Sequence, residues 1–150
     1  SGATKWDQLR RVRIGAGDSI VAAGLAANID NDFVVVRYSS AGVADATFGA
    51  AGKVFLDRGA TGEQQSSLAI SPSGDILVGG TSGSYPAAVV RLKPNGALDT
   101  AFGTGGWFVN SFASFASSVN AIAFDSKGRI VLGGSWAQSN PDWGAARLTP

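Results

Sequence analysis

The strongest constraint on the fold of this chain is an internal repeat. Residues 41–55 (AGVADATFGAAGKVF) and 95–108 (NGALDTAFGTGGWF) share five identical positions, each pair separated by 54 residues. The shared positions are Gly42, Asp45, Phe48, Gly49 and Gly52 in the first copy, and Gly96, Asp99, Phe102, Gly103 and Gly106 in the second. Self-similarity at one fixed offset is the signature of a repeat architecture. The sequence therefore predicts a series of similar structural units.

A second pair of matching stretches indicates what each unit contains. Residues 66–80 match residues 120–134 at the same offset of 54, and residues 10–24 form a more diverged copy. In each stretch apolar residues alternate, a turn containing glycine follows, and a nearly all-apolar run comes last. Alternation predicts a half-buried strand, and the apolar run predicts a strand buried on both faces. The alternating pairs, expected to face the core, are Val12 and Ile14, Leu68 and Ile70, and Ile122 and Phe124.

Two more predicted strands complete the unit. The third strand is expected in DFVVVRYS, PAAVVRLK and DWGAARLT, and the fourth in GKVFLD and GWFVNS. Four short antiparallel strands in each repeat are typical of a β-propeller blade. The predicted fold class is therefore all-β, with about three propeller-type blades. The approximate units are residues 9–57, 66–111 and 118–150, of which the last lacks its fourth strand.

The motif shared by the two copies is expected to form a corner between the third and fourth strands. Its aspartate can accept hydrogen bonds from turn amides and is close in sequence to a strand arginine, and its phenylalanine is expected in the core. These residues are Arg37, Asp45 and Phe48 in the first unit, and Arg91, Asp99 and Phe102 in the second. The motif is interpreted as architecture rather than chemistry.

These stretches resemble the repeats of a known family, the delta-60 repeat proteins of bacteria. The runs that carry the resemblance are DFVVVRYSSAGVADATFGAAGKV, VVRLKPNGALDTAFGTGGW and AFDSKGRIVLGGS, and the similarity extends from about Arg10 to Pro150. The resemblance implies β-propeller segments of a large exported or surface-associated protein. It brings no catalytic residues with it. The expected localisation is therefore secreted or at the bacterial cell surface.

Composition argues against several classes of function. The chain has no cysteine and no histidine, which removes disulfides, thiolate and imidazole metal sites and the usual catalytic triads. Its net charge is +1, so no nucleic-acid partner is expected, and Arg10, Arg11 and Arg13 are interpreted as a solvated strand face. No apolar run is long enough to cross a membrane. Neither membrane insertion nor a cofactor is expected.

Acidic residues offer weak support for catalysis or metal binding. Glu63 is the only glutamate, and most of the ten aspartates fall in turns or repeated corners. A calcium loop is suggested by the spacing of Asn28, Asp30 and Asp32. Phe33 and Ser39, however, occupy the places of the glycine and the bidentate acid that such a loop needs. We expect no enzyme, and we interpret the trio as turn-forming side chains.

Length variation between the units is confined to one loop, between the second and third strands. The three versions are LAANIDN, TSGSYP and SWAQSNP. Loops on a rigid scaffold are where binding is commonly built, and the alternative interpretation is that these loops are surface that tolerates variation. Trp136 is the best residue for stacking on a sugar or a partner, with Tyr85 and Asn140 beside it in the variable loops. Trp107 is expected to be exposed or at an interface, whereas Trp143 is expected in the core.

Three functions remain open at this point. The first is a non-enzymatic scaffold or protein-interaction module. The second is a carbohydrate-binding module that uses the variable loops, and the third is a hydrolase. Because propellers need at least four blades to close, we also predict a homodimer with six blades, in which residues 4–8 (TKWDQ) complete a neighbouring sheet.

Overall fold

The computed structural model describes residues 7–26, 32–59, 63–83, 86–110, 116–137 and 141–148, which form three β-sheets. The first sheet, blade 1, contains β1 (Gln8–Ile14), β2 (Ile20–Ala26), β3 (Asp32–Tyr38) and β4 (Lys53–Leu56). Blade 2 contains β5 (Gln64–Ile70), β6 (Ile76–Thr81), β7 (Ala87–Leu92) and β8 (Trp107–Asn110). Blade 3 contains β9 (Ala116–Phe124), β10 (Ile130–Ala137) and β11 (Pro141–Leu148).

Within each blade the strands lie side by side in chain order, and every neighbouring pair is antiparallel. This meander is the blade topology that the repeat predicts, so the all-β, propeller-type fold class is confirmed. Of the segment 4–8 that was expected to complete a neighbouring sheet, residues 4–6 lie outside the described part, and Gln8 pairs with Leu25 inside blade 1. No helix within the described ranges is long and apolar enough to span a membrane.

The small residues that end the second strand of each blade allow the first strand to cross close beside it. In blade 2 the register of β5 against β6 shifts between Gln65 and Ser67, which marks a β-bulge opposite Gly80. A Cβ atom added at Gly80 would lie 1.9 Å from the backbone oxygen of Gln64. Blades 1 and 3 show a register shift at the corresponding place, beside Gly24 and Gly134. Glycine is therefore required at this position because the backbone of the first strand lies where a side chain would be.

Successive blades pack face to face, and we name the two faces by their neighbours. The leading face of a blade is turned toward the next blade in the chain, and the trailing face is turned toward the preceding one. The leading face of blade 1 and the trailing face of blade 2 form one hydrophobic cluster. It contains Val21, Ala23, Phe33 and Val35 from blade 1, and Leu68, Val78, Val90 and Trp107 from blade 2. Burial of these faces against each other holds the blades together.

Blades 2 and 3 repeat the same arrangement. The leading face of blade 2 contributes Leu77, Val89 and Phe102, and the trailing face of blade 3 contributes Ile122, Ile130 and Leu132. Leu68 and Ile122 are both buried, as the alternation in their strands predicts. The nearly all-apolar strand β6 is buried from Ile76 to Gly80, as expected for a strand covered on both faces. Each interface thus joins one leading face to one trailing face.

Two sequence-based expectations about burial were wrong. Val12 and Ile14 were expected to face the core but are 55% and 63% exposed. They do share one face, the trailing face of blade 1, on which no other described blade makes extensive contact, although Ala22, Val34 and Val36 at its centre are buried. Trp143 was expected in the core and is 88% exposed, because it lies on the leading face of blade 3, which likewise has no described blade against it. Trp107, expected to be exposed or at an interface, is 7% exposed and lies at the interface between blades 1 and 2.

Candidate functional site

In the first corner, between β3 and β4, the repeated polar side chains bind one another. The Nε atom of Arg37 donates to Oδ2 of Asp45 at 2.8 Å, and the guanidinium carbon lies 4.6 Å from the ring centroid of Phe48. Arg37 also donates to the backbone oxygen of Pro94 in blade 2. Hydrogen bonds from the side chain and backbone of Thr47, together with the neighbouring Arg37, hold the pKa of Asp45 below its usual value. The corner therefore ties blade 1 both to itself and to blade 2.

The corner of blade 2 has the same construction. Arg91 Nε donates to Asp99 Oδ2 at 2.7 Å, and its guanidinium carbon lies 4.7 Å from the ring centroid of Phe102. Both corner phenylalanines are buried, which confirms their predicted place in the core. Gly103 precedes the turn into β8. A Cβ atom added there would lie 2.1 Å from the backbone oxygen of Trp107, so a larger residue would clash with the backbone. The repeated motif is thus occupied by structural contacts in both blades.

Small clefts between neighbouring blades open beside these corners, on an edge of the molecule that we call the corner rim. One, of about 240 Å³, is lined by Arg37, Asp45 and the turns at Gly15 and Gly74. A second, of about 270 Å³, lies one blade further on and is lined at equivalent positions, including Arg91 and Gly128. Their polar walls consist largely of the paired arginines and hydrogen-bonded turns. The clefts are a repeated feature of the blade junctions.

The opposite edge carries the loops between second and third strands, and we call it the loop rim. In a meander the β2–β3 and β4–β5 connections lie at the same end of the sheet, so Glu63, which directly precedes β5, belongs to this rim. Its side chain is almost fully buried, at 1% exposure of the residue. One carboxylate oxygen accepts from the backbone N–H of Phe33 and the other from the hydroxyl of Ser82, both at 3.3 Å. Glu63 therefore joins blade 1 to blade 2.

Burial also changes the acidity of Glu63. Removal from water raises its pKa from 4.5 to about 7, against the opposing effect of the hydrogen bonds from Phe33 and Ser82. The nearby negative charges of Asp32 and Asp57 raise it further. A buried acid with such a shift marks a candidate site. Sequence reasoning set this residue aside, although its being the only glutamate, just before a strand that crosses to the next blade, was a usable signal.

Several residues proposed from the sequence for ligand or calcium binding are in segments that the structure does not describe. Asn28, Asp30, Tyr85 and Asn140 lie outside the described ranges. Trp136 is described only as a backbone position in β10, opposite Asp142 and Ser117. The remaining ligand-binding candidate, Trp107, lies in the blade 1–blade 2 core, where its ring centroid is 6.0 Å from that of Phe33 and its side chain is not available to a ligand at the loop rim.

The suggested calcium trio is represented in the described chain by Asp32 alone. This residue pairs with Ala26 at the start of β3, is 3% exposed and lies near Glu63. Across the described ranges there is no group of three or more acidic, histidine or cysteine side chains that could hold a metal ion. Asp32 therefore belongs to the buried acidic region around Glu63.

Comparison with known protein families adds one match. Residues 18–48 and 71–102 are similar to a family described as a domain of unknown function (DUF5122) beta-propeller. The two matched stretches cover the same part of blades 1 and 2, from the turn before the second strand to the corner phenylalanine. No curated protein matches the chain. The family similarity and the three meander sheets agree on a β-propeller.

Proposed function

We propose that this chain is a non-enzymatic β-propeller scaffold whose loop rim binds a partner protein. The similarity to a β-propeller family of unknown function supports the scaffold, and the delta-60 resemblance favours a place in a secreted or surface protein of a bacterium. The observation that carries the proposal is that the two rims differ in what their side chains do and in how much their loops vary. Repeated residues are used in the corners, while differences in loop length are confined to the loop rim.

Loops that vary on a constant framework are suited to recognition. The strands that flank them are paired along their length, with continuous register from Ile20 to Ala26 and from Ile76 to Thr81. A rigid base of this kind presents loop side chains without the entropic penalty of ordering the sheet on binding. The loop rim is therefore a better candidate for a partner surface than the corner rim, whose side chains already bind each other.

Catalysis by Glu63 is the weaker hypothesis. A hydrolase needs an acid or carboxylate within reach of the scissile bond, often paired with a second carboxylate at a defined separation. Glu63 is enclosed, and its oxygens already accept hydrogen bonds from Phe33 and Ser82. A linking role between blades accounts for both contacts.

Carbohydrate binding is the second candidate, favoured by the aromatic residues Tyr85 and Trp136 in or beside the variable loops. Aromatic rings present a flat apolar surface and polar tips suited to mixed contacts. A glycan array separates the two candidates. Binding to a defined glycan that disappears in Trp136→Ala, with an unchanged melting temperature, would assign the rim to carbohydrate.

The protein-binding proposal is tested by replacing the five-residue loop at 27–31 with the three-residue blade 2 loop at 83–85, which lies between the equivalent paired positions Ser82 and Pro86. The control is Ser73→Ala, in the β5–β6 turn on the corner rim. Proximity labelling with each variant on the surface of the source bacterium should identify a partner with wild type and control. That partner should be lost with the loop replacement. Equal labelling by all three proteins, or turnover of a glycoside that Glu63→Gln abolishes, would contradict the proposal.

A further inference from the structure

The trailing face of blade 1 exposes a row of large apolar side chains. Leu9, Val12 and Ile14 on β1 are more than half exposed, as is Phe55 on β4. Strand pairing places all four on one side of the sheet, because Val12 pairs with Ala22, Ala22 with Val36, and Phe55 with Val34. On the central strands of this face Ala22, Val34 and Val36 are buried, so the exposed apolar surface is the row along edge strand β1, with Phe55 on the opposite edge. Exposed apolar rows on a soluble protein mark interaction sites.

The repeat shows what this face is shaped to contact. In blade 2, Leu68 and Ile70 occupy the positions of Val12 and Ile14, two and zero residues before the end of the first strand. Leu68 is 1% exposed because the leading face of blade 1 packs against it. In blade 3 the corresponding Ile122 is also buried, against blade 2. In blades 2 and 3 the trailing face is therefore covered by the leading face of the preceding blade.

Blade 3, at the other end of the described chain, has a leading face of the kind that covers a trailing face. On the leading face of blade 3, Trp143 occupies the position of Phe33, one residue before the partner of the second-strand glycine. Phe33 is completely buried, against blade 2 and the ring of Trp107, whereas Trp143 is 88% exposed. Arg147 likewise stands in the position of Arg37, which donates to Pro94 of the next blade. The two ends thus carry one leading face and one trailing face, the same pair of faces that meets at the two interfaces between the described blades.

We propose that a second copy of this chain covers both end faces. The leading face of blade 3 in one copy packs on the trailing face of blade 1 in the other, and the same contact recurs at the second junction. Two copies bring six blades, within the four to eight that propellers contain, whereas three copies would bring about nine. The contact is head to tail and closes into a ring, so it leaves neither end face exposed. The proposal does not depend on what the loop rim binds.

Light scattering on the purified chain tests the assembly. At tens of micromolar we expect one species with twice the 15.2 kDa mass of the chain. A monomer at that concentration would overturn the proposal, and would leave additional blades of a longer protein as the occupant of the end faces. A species larger than a dimer would overturn the two-copy ring.

Two variants test which faces meet. Ile14→Asp places a charge on the trailing face of blade 1, and Trp143→Asp places one on the leading face of blade 3. Both residues are mainly exposed in the single chain, so circular dichroism should show folded protein. Each variant alone should be monomeric, since every junction then contains one altered face. Val43→Asp is the matched control, because Val43 is 65% exposed in the β3–β4 corner and should leave the dimer intact.

Mixing the two variants separates head-to-tail contact from a like-with-like contact. One junction in the mixture joins an unaltered leading face to an unaltered trailing face, so a heterodimer should form that neither variant forms alone. A mixture that stays monomeric while both variants are folded would overturn the head-to-tail arrangement. Dimerisation of Trp143→Asp alone with wild-type affinity would overturn the assignment of the leading face.

Discussion

Glu63 couples its own protonation to the folding of the chain. Burial raises its pKa from 4.5 in the unfolded chain to about 7 in the fold, so the folded state favours the protonated acid. Its contribution to stability is therefore complete below pH 4.5 and is lost as the pH rises through 7. The charged groups that face it are Asp32 and Asp57, whose negative charges act in the same direction.

Glu63→Gln should abolish this pH dependence. The amide can accept from Phe33 N–H and donate to Ser82, as the protonated acid can, but it cannot ionise. At pH 8 the variant should be more stable than wild type by about 3 kcal/mol, the equivalent of a shift of that size, and equal to it near pH 4. Urea unfolding at the two pH values measures the difference. Asp18→Asn, an exposed acid in the β1–β2 turn, is the control, and an equal gain there would contradict the assignment.

Truncation of Phe102 tests whether the corner contributes to the hydrophobic core. Its ring is buried under the guanidinium of Arg91 and against the core between blades 2 and 3. Phe102→Ala should lower the free energy of unfolding by about 3–5 kcal/mol, as expected for truncation of a core aromatic residue. Val43→Ala, at an exposed corner position, should change it by less than about 0.5 kcal/mol. Similar values for the two variants would refute the corner's role in the core.

The β-bulge in the first strand is the feature of each blade that most restricts its second strand. Gly80 and Gly133 look alike in the sequence, as glycines near the end of an apolar strand, but their surroundings differ. A Cβ at Gly80 would collide with the backbone of Gln64, whereas at Gly133 its nearest neighbour would be the Cβ of Ala121 at 3.8 Å. The difference arises because Gly80 lies where β5 shifts register and Gly133 lies one residue before the equivalent place.

Alanine substitution at these two glycines should therefore separate them. Gly80→Ala should destabilise the chain by about 2 kcal/mol or more, since strand β5 must move to relieve the overlap. Gly133→Ala should be neutral or stabilising by up to about 1 kcal/mol, because it reduces the freedom of the unfolded chain. Thermal unfolding of the pair measures both effects. Equal losses would mean that the close approach of the strands is not what selects glycine.

At the scale of the whole molecule, the described part of the chain exposes apolar side chains on the trailing face of blade 1 and the leading face of blade 3, and their burial should appear in its stability. If a second copy covers them, folding is linked to association and the melting temperature depends on protein concentration. We expect the wild-type melting temperature to rise over a hundredfold increase in concentration. That of Ile14→Asp should stay constant. A wild-type value independent of concentration would contradict a dimer formed in this range.

The sequence by itself determined the parts of the protein that depend on local order. The repeat predicted the meander blades, and the Arg–Asp–Phe corners form as expected because their members lie within eleven residues of each other, as Arg37 and Phe48 do. Strand alternation also placed Val12 and Ile14 on one face correctly. These features follow from the period of the strand and from the geometry of a tight connection.

Only the tertiary structure decided which of those faces are covered. Phe33 and Trp143 hold equivalent positions, yet one is fully buried and the other 88% exposed. The same holds for Leu68 and Val12, and the burial that shifts the pKa of Glu63 likewise depends on contacts with both blade 1 and blade 2. Alternation within a strand states which side chains share a face. Whether that face meets protein or water depends on a neighbouring blade distant in the sequence, and no local pattern records its presence.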